Sequence, residues 1–262
     1  MKEALDNLNK YCSALERDYS HDADIVPLLA VGSPEGMLAA ARRVRQRENS
    51  AFLKLPIQAA GPALDCPEIS SVPGLVLSSK DLQNALKCLE LADEPVMLRL
   101  SGPFSCFMAA AGTDATFRWL HKKGPEVKQA LGTIADGLAE YAVGAAPKGA
   151  RIISVAEPCA MAEVLGEKKY REFAAEYLIR FLRQALPHVR GSIVHLCPRA
   201  SRQLEEFGCM AAQKISVPQG TYANVLLSAP QIADGVVVGH RCVNMEQATV
   251  DTLILLDFAG GG

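Results

Sequence analysis

Short, unbroken apolar runs alternate with amphipathic stretches along most of this chain, and that alternation restricts its fold more than any other feature. A strand covered on both faces reads as a continuous apolar run, whereas a helix lying on a sheet shows a stripe of period 3.6. Runs of the first kind fall at residues 24–31, 51–57, 95–101, 151–157, 191–197, 210–217, 235–240 and 252–257. The clearest helical stripe is at 168–185, carried by Tyr170, Phe173, Tyr177, Leu178, Phe181 and Leu182. Ser33-Pro34 marks a helix start, Ser79 another that runs to about Leu91, and residues 114–147 read as two helices broken at Gly124-Pro125. Eight alternations in 262 residues predict an α/β fold of the (β/α)8 TIM-barrel type, in one domain spanning 1–262, with an open doubly wound sheet as the alternative. Residues 2–19 read as a helix packed across one end. The pattern leaves no room for a helix after the last strand, so the barrel is expected to lack its eighth helix.

Composition narrows the function classes. With 49% hydrophobic and 21% charged residues and a net charge of −2, the chain offers no electrostatic basis for binding nucleic acid or an anionic membrane. No apolar run approaches the roughly 20 residues of a membrane-spanning helix, and the charged N-terminus lacks the apolar centre of a signal peptide. The eight cysteines are scattered without a Cys-x-x-Cys pair, which fits free or metal-bound thiols in a reducing cytoplasm. No Gly-x-Gly-x-x-Gly loop follows any strand.

In a parallel barrel the C-terminal strand ends share one rim, where active sites form. Those ends read Ser101, Glu157, His195, Cys197, His240, Cys242 and Asp257. His195 and Cys197 stand two apart in GSIVHLCP (191–198), so an extended chain puts both side chains on one face. An imidazole beside a thiolate supplies two of the three ligands of a catalytic zinc. The ordinary alternative is a hydrogen-bonded histidine next to a buried cysteine. Cys242, just beyond a strand in GHRC, is the expected third ligand, with Cys159, Cys106 and His240 as rivals. Cys209 begins a strand and belongs to the opposite end. Glu157 either forms an ion pair or caps a helix from Met161 onward, or acts at the site, behind a ligating histidine or beside a cofactor. Arg42, Arg43, Arg45 and Arg47 read as a solvated helix end. Arg99, Arg151 and Arg241 each suit an anionic tail, and nothing in the sequence ranks them.

SGPFS (101–105), GARIISVAEP (149–158), the 170–182 helix and VHLC (194–197) follow one another in an order that resembles the uroporphyrinogen decarboxylase-like superfamily. Within it they resemble the methylcobamide:coenzyme M methyltransferase branch, over about residues 50–258. The resemblance implies a (β/α)8 barrel with zinc held by His195, Cys197 and Cys242. It also implies transfer of a methyl group between a methylated corrinoid on a partner protein and a small thiol or other small molecule. Ser101 and Glu157 would face the corrinoid, with Glu157 in a catalytic position where the family usually has Asp. Pro198 stands where the family normally has Gly, and the decarboxylases' N-terminal arginine motif is not recognisable. Two alternatives follow: a non-catalytic barrel binding a corrinoid protein or small methylated ligand, and a metal-independent decarboxylase.

Overall fold

The computed structural model describes residues 22–56, 68–229 and 237–259. Among these, α1 (Val26–Ala30) and α2 (Pro34–Glu48) lead into β1 (Leu53–Leu55). Then come α3 (Val72–Leu77), α4 (Lys80–Leu91), β2 (Val96–Ser101), α5 (Pro103–Ala111), α6 (Thr113–Lys122), α7 (Gly124–Ala145) and β3 (Ala150–Ala156). The second half holds α8 (Ala162–Leu165), α9 (Glu176–Ala185), β4 (Ile193–Leu196), α10 (Pro198–Glu206), β5 (Met210–Thr221), α11 (Tyr222–Ser228), β6 (Val237–Gly239) and β7 (Thr249–Phe258). The expected helix at 2–19 and the loop at 58–67 lie outside the described residues.

The strands form one seven-stranded sheet in the order β1-β2-β3-β4-β6-β7-β5. The first five pair in parallel; β7 is antiparallel to both β6 and β5. The fold is therefore α/β and mainly parallel, as the alternation predicts. The run at 24–31 is not a strand. It folds as α1, with Pro27 in the first turn, where a helix needs no N–H donor, and it packs against α2. Ser33 caps α2 by accepting from the Gly36 N–H at 3.2 Å, and Arg42 and Arg47 at its far end pair with Glu94 and Asp22.

Alternation within each strand divides the sheet into two faces. Leu98, Leu100, Ile153, Val155, Val194 and Leu196 point outward into a core shared with α2, α4, α5, α7 and α9. Phe52, Met97, Ile152, Ile193 and Val238 point inward and pack with Tyr222, Ala223, Val225 and Leu226 of α11. In a flat sheet β1 and β6 would stand about 19 Å apart, four strand spacings. Instead, Lys54 of β1 meets Glu246, on the turn after β6, at 2.9 Å, and Glu246 also accepts from the Ala51 N–H. The sheet is therefore curled like a barrel wall around α11. Side chains bridge β1 to the β6–β7 turn, and β1 and β5 remain the ends of the strand order.

Candidate functional site

Parallel register stacks the inward residues of β2, β3 and β4 into levels. The lowest is apolar: Met97 lies beside Ile152, and Ile152 beside Ile193. The next is polar, with Arg99 beside Ser154, Ser154 beside His195, and His195 beside Val238 of β6. Above it, Ser101 and Ala156 end their strands, and Cys197 follows β4 with its N–H donated to the Val155 carbonyl.

His195 is fully buried. Its Nε2 lies 3.0 Å from the Arg241 carbonyl and its Nδ1 3.2 Å from Ser154 Oγ. A carbonyl only accepts, so Nε2 carries the proton, and Nδ1 accepts from the Ser154 hydroxyl. Burial pulls the imidazole down to about 4, so it is neutral at ordinary pH. The ring of Tyr222 packs edge-on against it, and the Arg241 guanidinium lies over the Tyr222 face at 5.6 Å. The Tyr222 hydroxyl is buried without a hydrogen-bond partner among the described residues.

Glu157 is also buried, and three donors hold it: the Phe104 N–H at 3.0 Å, the Ser105 N–H at 2.9 Å and the Ser105 hydroxyl at 2.6 Å. The carboxylate thus caps α5 across the sheet, not the short helix that follows it in sequence. This arrangement accounts for SGPFS. A Cβ on Gly102 would meet Glu157 Oε1 at 2.3 Å, and Pro103 occupies the first turn, where no donor is required. Burial pushes the carboxyl up to about 7 against those three hydrogen bonds. Both oxygens are committed to α5, so Glu157 positions the strand end and lies outside the pocket wall.

That pocket opens at the C-terminal ends of the parallel strands and measures about 290 Å³ counting its mouth. Arg99, Ser154, His195, Cys197, Pro198 and Cys242 line it, with Ala156 and Val243. Burial raises the Cys242 thiol, and Cys197 beside it adds to the shift. The other expected rim residues go elsewhere. His240 turns away in a left-handed conformation, its N–H bound to Ser201 Oγ at 2.8 Å and its Nε2 3.2 Å from Glu205. Cys106 donates to the Ser101 carbonyl, and the Cys159 N–H donates to Ser105 Oγ. Asp257 is at the opposite end, because β7 runs antiparallel and places it beside Ala211 at the start of β5. Arg151 is exposed near the start of β3, leaving Arg99 as the arginine on the pocket wall.

A sequence model of the family described as uroporphyrinogen decarboxylase (URO-D) matches residues 59–241, most of the chain and all of this pocket wall but its last two residues. The chain belongs to the URO-D family. No curated protein matches this URO-D sequence. Among solved structures, a methyltransferase from Methanosarcina mazei shares its fold with a TM-score of 0.50 at 17% identity, over 74% of this chain and 67% of that one. Among the described residues no helix is long and apolar enough to cross a membrane.

The zinc implied by the sequence resemblance can be tested against these positions. His195, Cys197 and Cys242 reach one pocket, and an imidazole with two thiols is a suitable donor set in kind. They do not converge: among the described residues no three His, Cys, Asp or Glu side chains are grouped to hold a metal ion. His195 has both ring nitrogens in hydrogen bonds, and Glu157 is tied to α5. As placed, the side chains do not fit zinc. Sequence reasoning passed over Ser154, although the pattern Ile152-x-Ser154 beside Ile193-x-His195 puts polar residues at matching inward positions of two neighbouring strands.

Proposed function

We propose that this URO-D protein is a methyltransferase that passes a methyl group between a small molecule held in the rim pocket and a corrinoid carried on a partner protein. The observation that carries this reading is the pocket itself, a small hollow at the strand ends lined by Ser154, His195, Cys197, Pro198 and Cys242. The hollow is small and much of its space is open solvent, so it suits a compact molecule, not a tetrapyrrole. A tetrapyrrole, whether porphyrinogen or corrinoid, has to stay above the mouth, where a partner protein can deliver it. A methyltransferase with the same fold is consistent with this reading.

A methylated corrinoid supplies an electrophilic methyl group, so the difficult chemistry belongs to the cofactor. This chain has to hold the small molecule, orient it toward the mouth and exclude water. The apolar level of Met97, Ile152 and Ile193 lies one register step below the pocket wall, and neutral His195, braced on both nitrogens, keeps that wall rigid. No step of this proposal runs through zinc.

The test is demethylation of free methylcobalamin, followed by its absorbance, with a panel of small thiols and the full chain. Faster demethylation that saturates with thiol, and that is lost in a folded Cys242→Phe variant filling the mouth, is expected. No acceleration with any thiol, or carbon dioxide release from a porphyrinogen instead, rejects the reading.

A further inference from the structure

We propose that His195 acts as a positioning residue in place of a metal ligand: locked in one tautomer by Ser154, it holds the Arg241 carbonyl and thereby sets Cys242 on the pocket wall. The inference goes beyond the methyl-transfer reading and does not depend on it, because it concerns how the wall is built and not what the wall binds.

The sheet does not reach this part of the wall. β6 ends at Gly239, and its ladder with β4 pairs Val194 with Val237 and His195 with Val238. His240 then turns the chain through a left-handed conformation, φ 64°, and the lip that follows brings Cys242 and Val243 to the pocket. The lip is placed by hydrogen bonds that reach it from other elements. From α10, Ser201 Oγ accepts the His240 N–H at 2.8 Å and Arg202 donates to the His240 carbonyl at 3.4 Å. At Arg241, the residue joined to Cys242, the bond comes from His195 Nε2 at 3.0 Å. Beyond it the lip closes on itself, the Met245 N–H donating to the Cys242 carbonyl at 3.0 Å. A shift at Arg241 therefore carries Cys242 with it.

Ser154 gives that bond its direction. Its hydroxyl donates to Nδ1, so the ring proton sits on Nε2 and faces a carbonyl that only accepts. A proton moved to Nδ1 would leave two lone pairs facing each other at 3.0 Å and release the lip. The same assignment separates this role from ligation. A metal takes a nitrogen lone pair, and its ligands have to face one point. Here the nitrogen on the Cys242 side carries the proton, while the lone pair of Nδ1 faces Ser154 on β3. Full burial and the edge of Tyr222 restrict the ring's rotation between the two arrangements.

Two variants separate the roles. His195→Gln keeps an amide N–H for the Arg241 carbonyl and an oxygen for the Ser154 hydroxyl, but is a poor zinc ligand; His195→Leu keeps neither bond. The full chain is treated with iodoacetamide, without and with added zinc, and modification of Cys242 is followed by mass spectrometry of its peptide. A loosened lip exposes this half-buried thiol more often, and alkylation tracks the opening. Cys242 is expected to react about 5- to 10-fold faster in His195→Leu than in the wild type, and within about 2-fold of the wild type in His195→Gln. The wild type's nitrogen-15 spectrum is expected to show the His195 proton on Nε2. If His195→Leu does not fold, Ser154→Ala serves: it leaves the ring but removes the donor to Nδ1, and is expected to speed Cys242 several-fold, with Ser154→Thr close to the wild type. Four results overturn the proposal: Cys242 reacting no faster in the folded His195→Leu or Ser154→Ala chain, His195→Gln reacting as fast as His195→Leu, a ring proton on Nδ1, or zinc protection of Cys242 that the wild type shows and His195→Gln lacks. A chain that meets these tests yet transfers no methyl group would refute only the methyltransferase reading.

Discussion

Replacing Lys54 with Met tests how the curled sheet is held. Lys54 and Glu246 are 7% and 4% exposed, so their 2.9 Å ion pair is shielded from water. Lys54 also meets Glu48 at 3.0 Å, while the second oxygen of Glu246 accepts from the Ser50 hydroxyl and the Ala51 N–H, each at 2.9 Å. Methionine nearly preserves the volume and removes the charge, leaving a buried carboxylate oxygen without its cation. Removing one partner of a buried pair costs about 3–5 kcal/mol. Because Glu246 keeps two donors, the lower value applies, about 3 kcal/mol out of a total of about 5–15 kcal/mol. In a chain of this size that lowers the melting temperature by about 6–12 °C. Urea unfolding is read by the fluorescence of Trp119, the single tryptophan, buried against Phe107. Adding Glu246→Gln removes the stranded charge and is expected to recover at least half of the loss. A cost below about 1 kcal/mol, or a double variant as unstable as the sum of the singles, would refute the claim that this pair ties β1 to the β6–β7 turn.

Three further outcomes follow from the site. Gly102→Ala puts a methyl group on Glu157 Oε1 and is expected to destabilise by about 2–3 kcal/mol, but by much less in a Glu157→Ala background; equal costs in both would break the link between SGPFS and Glu157. His195 titrates at about 4 when folded and near 6.5 when unfolded, so its contribution is complete above pH 6.5 and is lost as pH falls toward 4. Glu157, raised to about 7, acts in the opposite sense: its contribution is complete below about 4.5 and is lost as pH rises through 7. Subtraction isolates the histidine. The cost of His195→Asn should shrink by about 2 kcal/mol between pH 7 and pH 5, and an unchanged cost would mean that the imidazole is not held neutral. Tyr222→Phe removes a hydroxyl without a partner among the described residues, so chemical denaturation should show no loss of stability, or a gain up to about 1 kcal/mol; a loss above that size would reveal a partner for the hydroxyl.

What the sequence determined by itself is what local pattern can carry. The stripe of Tyr170, Phe173, Tyr177 and Phe181 specifies a buried helix face, and Ser33-Pro34 specifies where α2 begins. The two-residue spacing of His195 and Cys197 is sufficient to put both on one pocket wall, with Cys242 across from them. The apolar run at 24–31 was ambiguous for a physical reason: over so few residues, neither helical nor strand period can be distinguished, and packing on α2 decided for a helix.

Tertiary structure decided whatever depends on pairing between distant segments. Strand direction is set by the partner, so the antiparallel course of β7, which carries Asp257 to the far end, has no local signature. The same holds for Glu157, whose donors lie more than fifty residues back in α5, and for Lys54 and Glu246. Most consequential is His195. Its spacing admitted both a zinc ligand and a braced histidine, and only the Ser154 hydroxyl and the Arg241 carbonyl, delivered by neighbouring segments of the curled sheet, occupied both ring nitrogens. A side chain's chemical type is written in the chain, but its hydrogen-bond partners are chosen when the sheet closes around it.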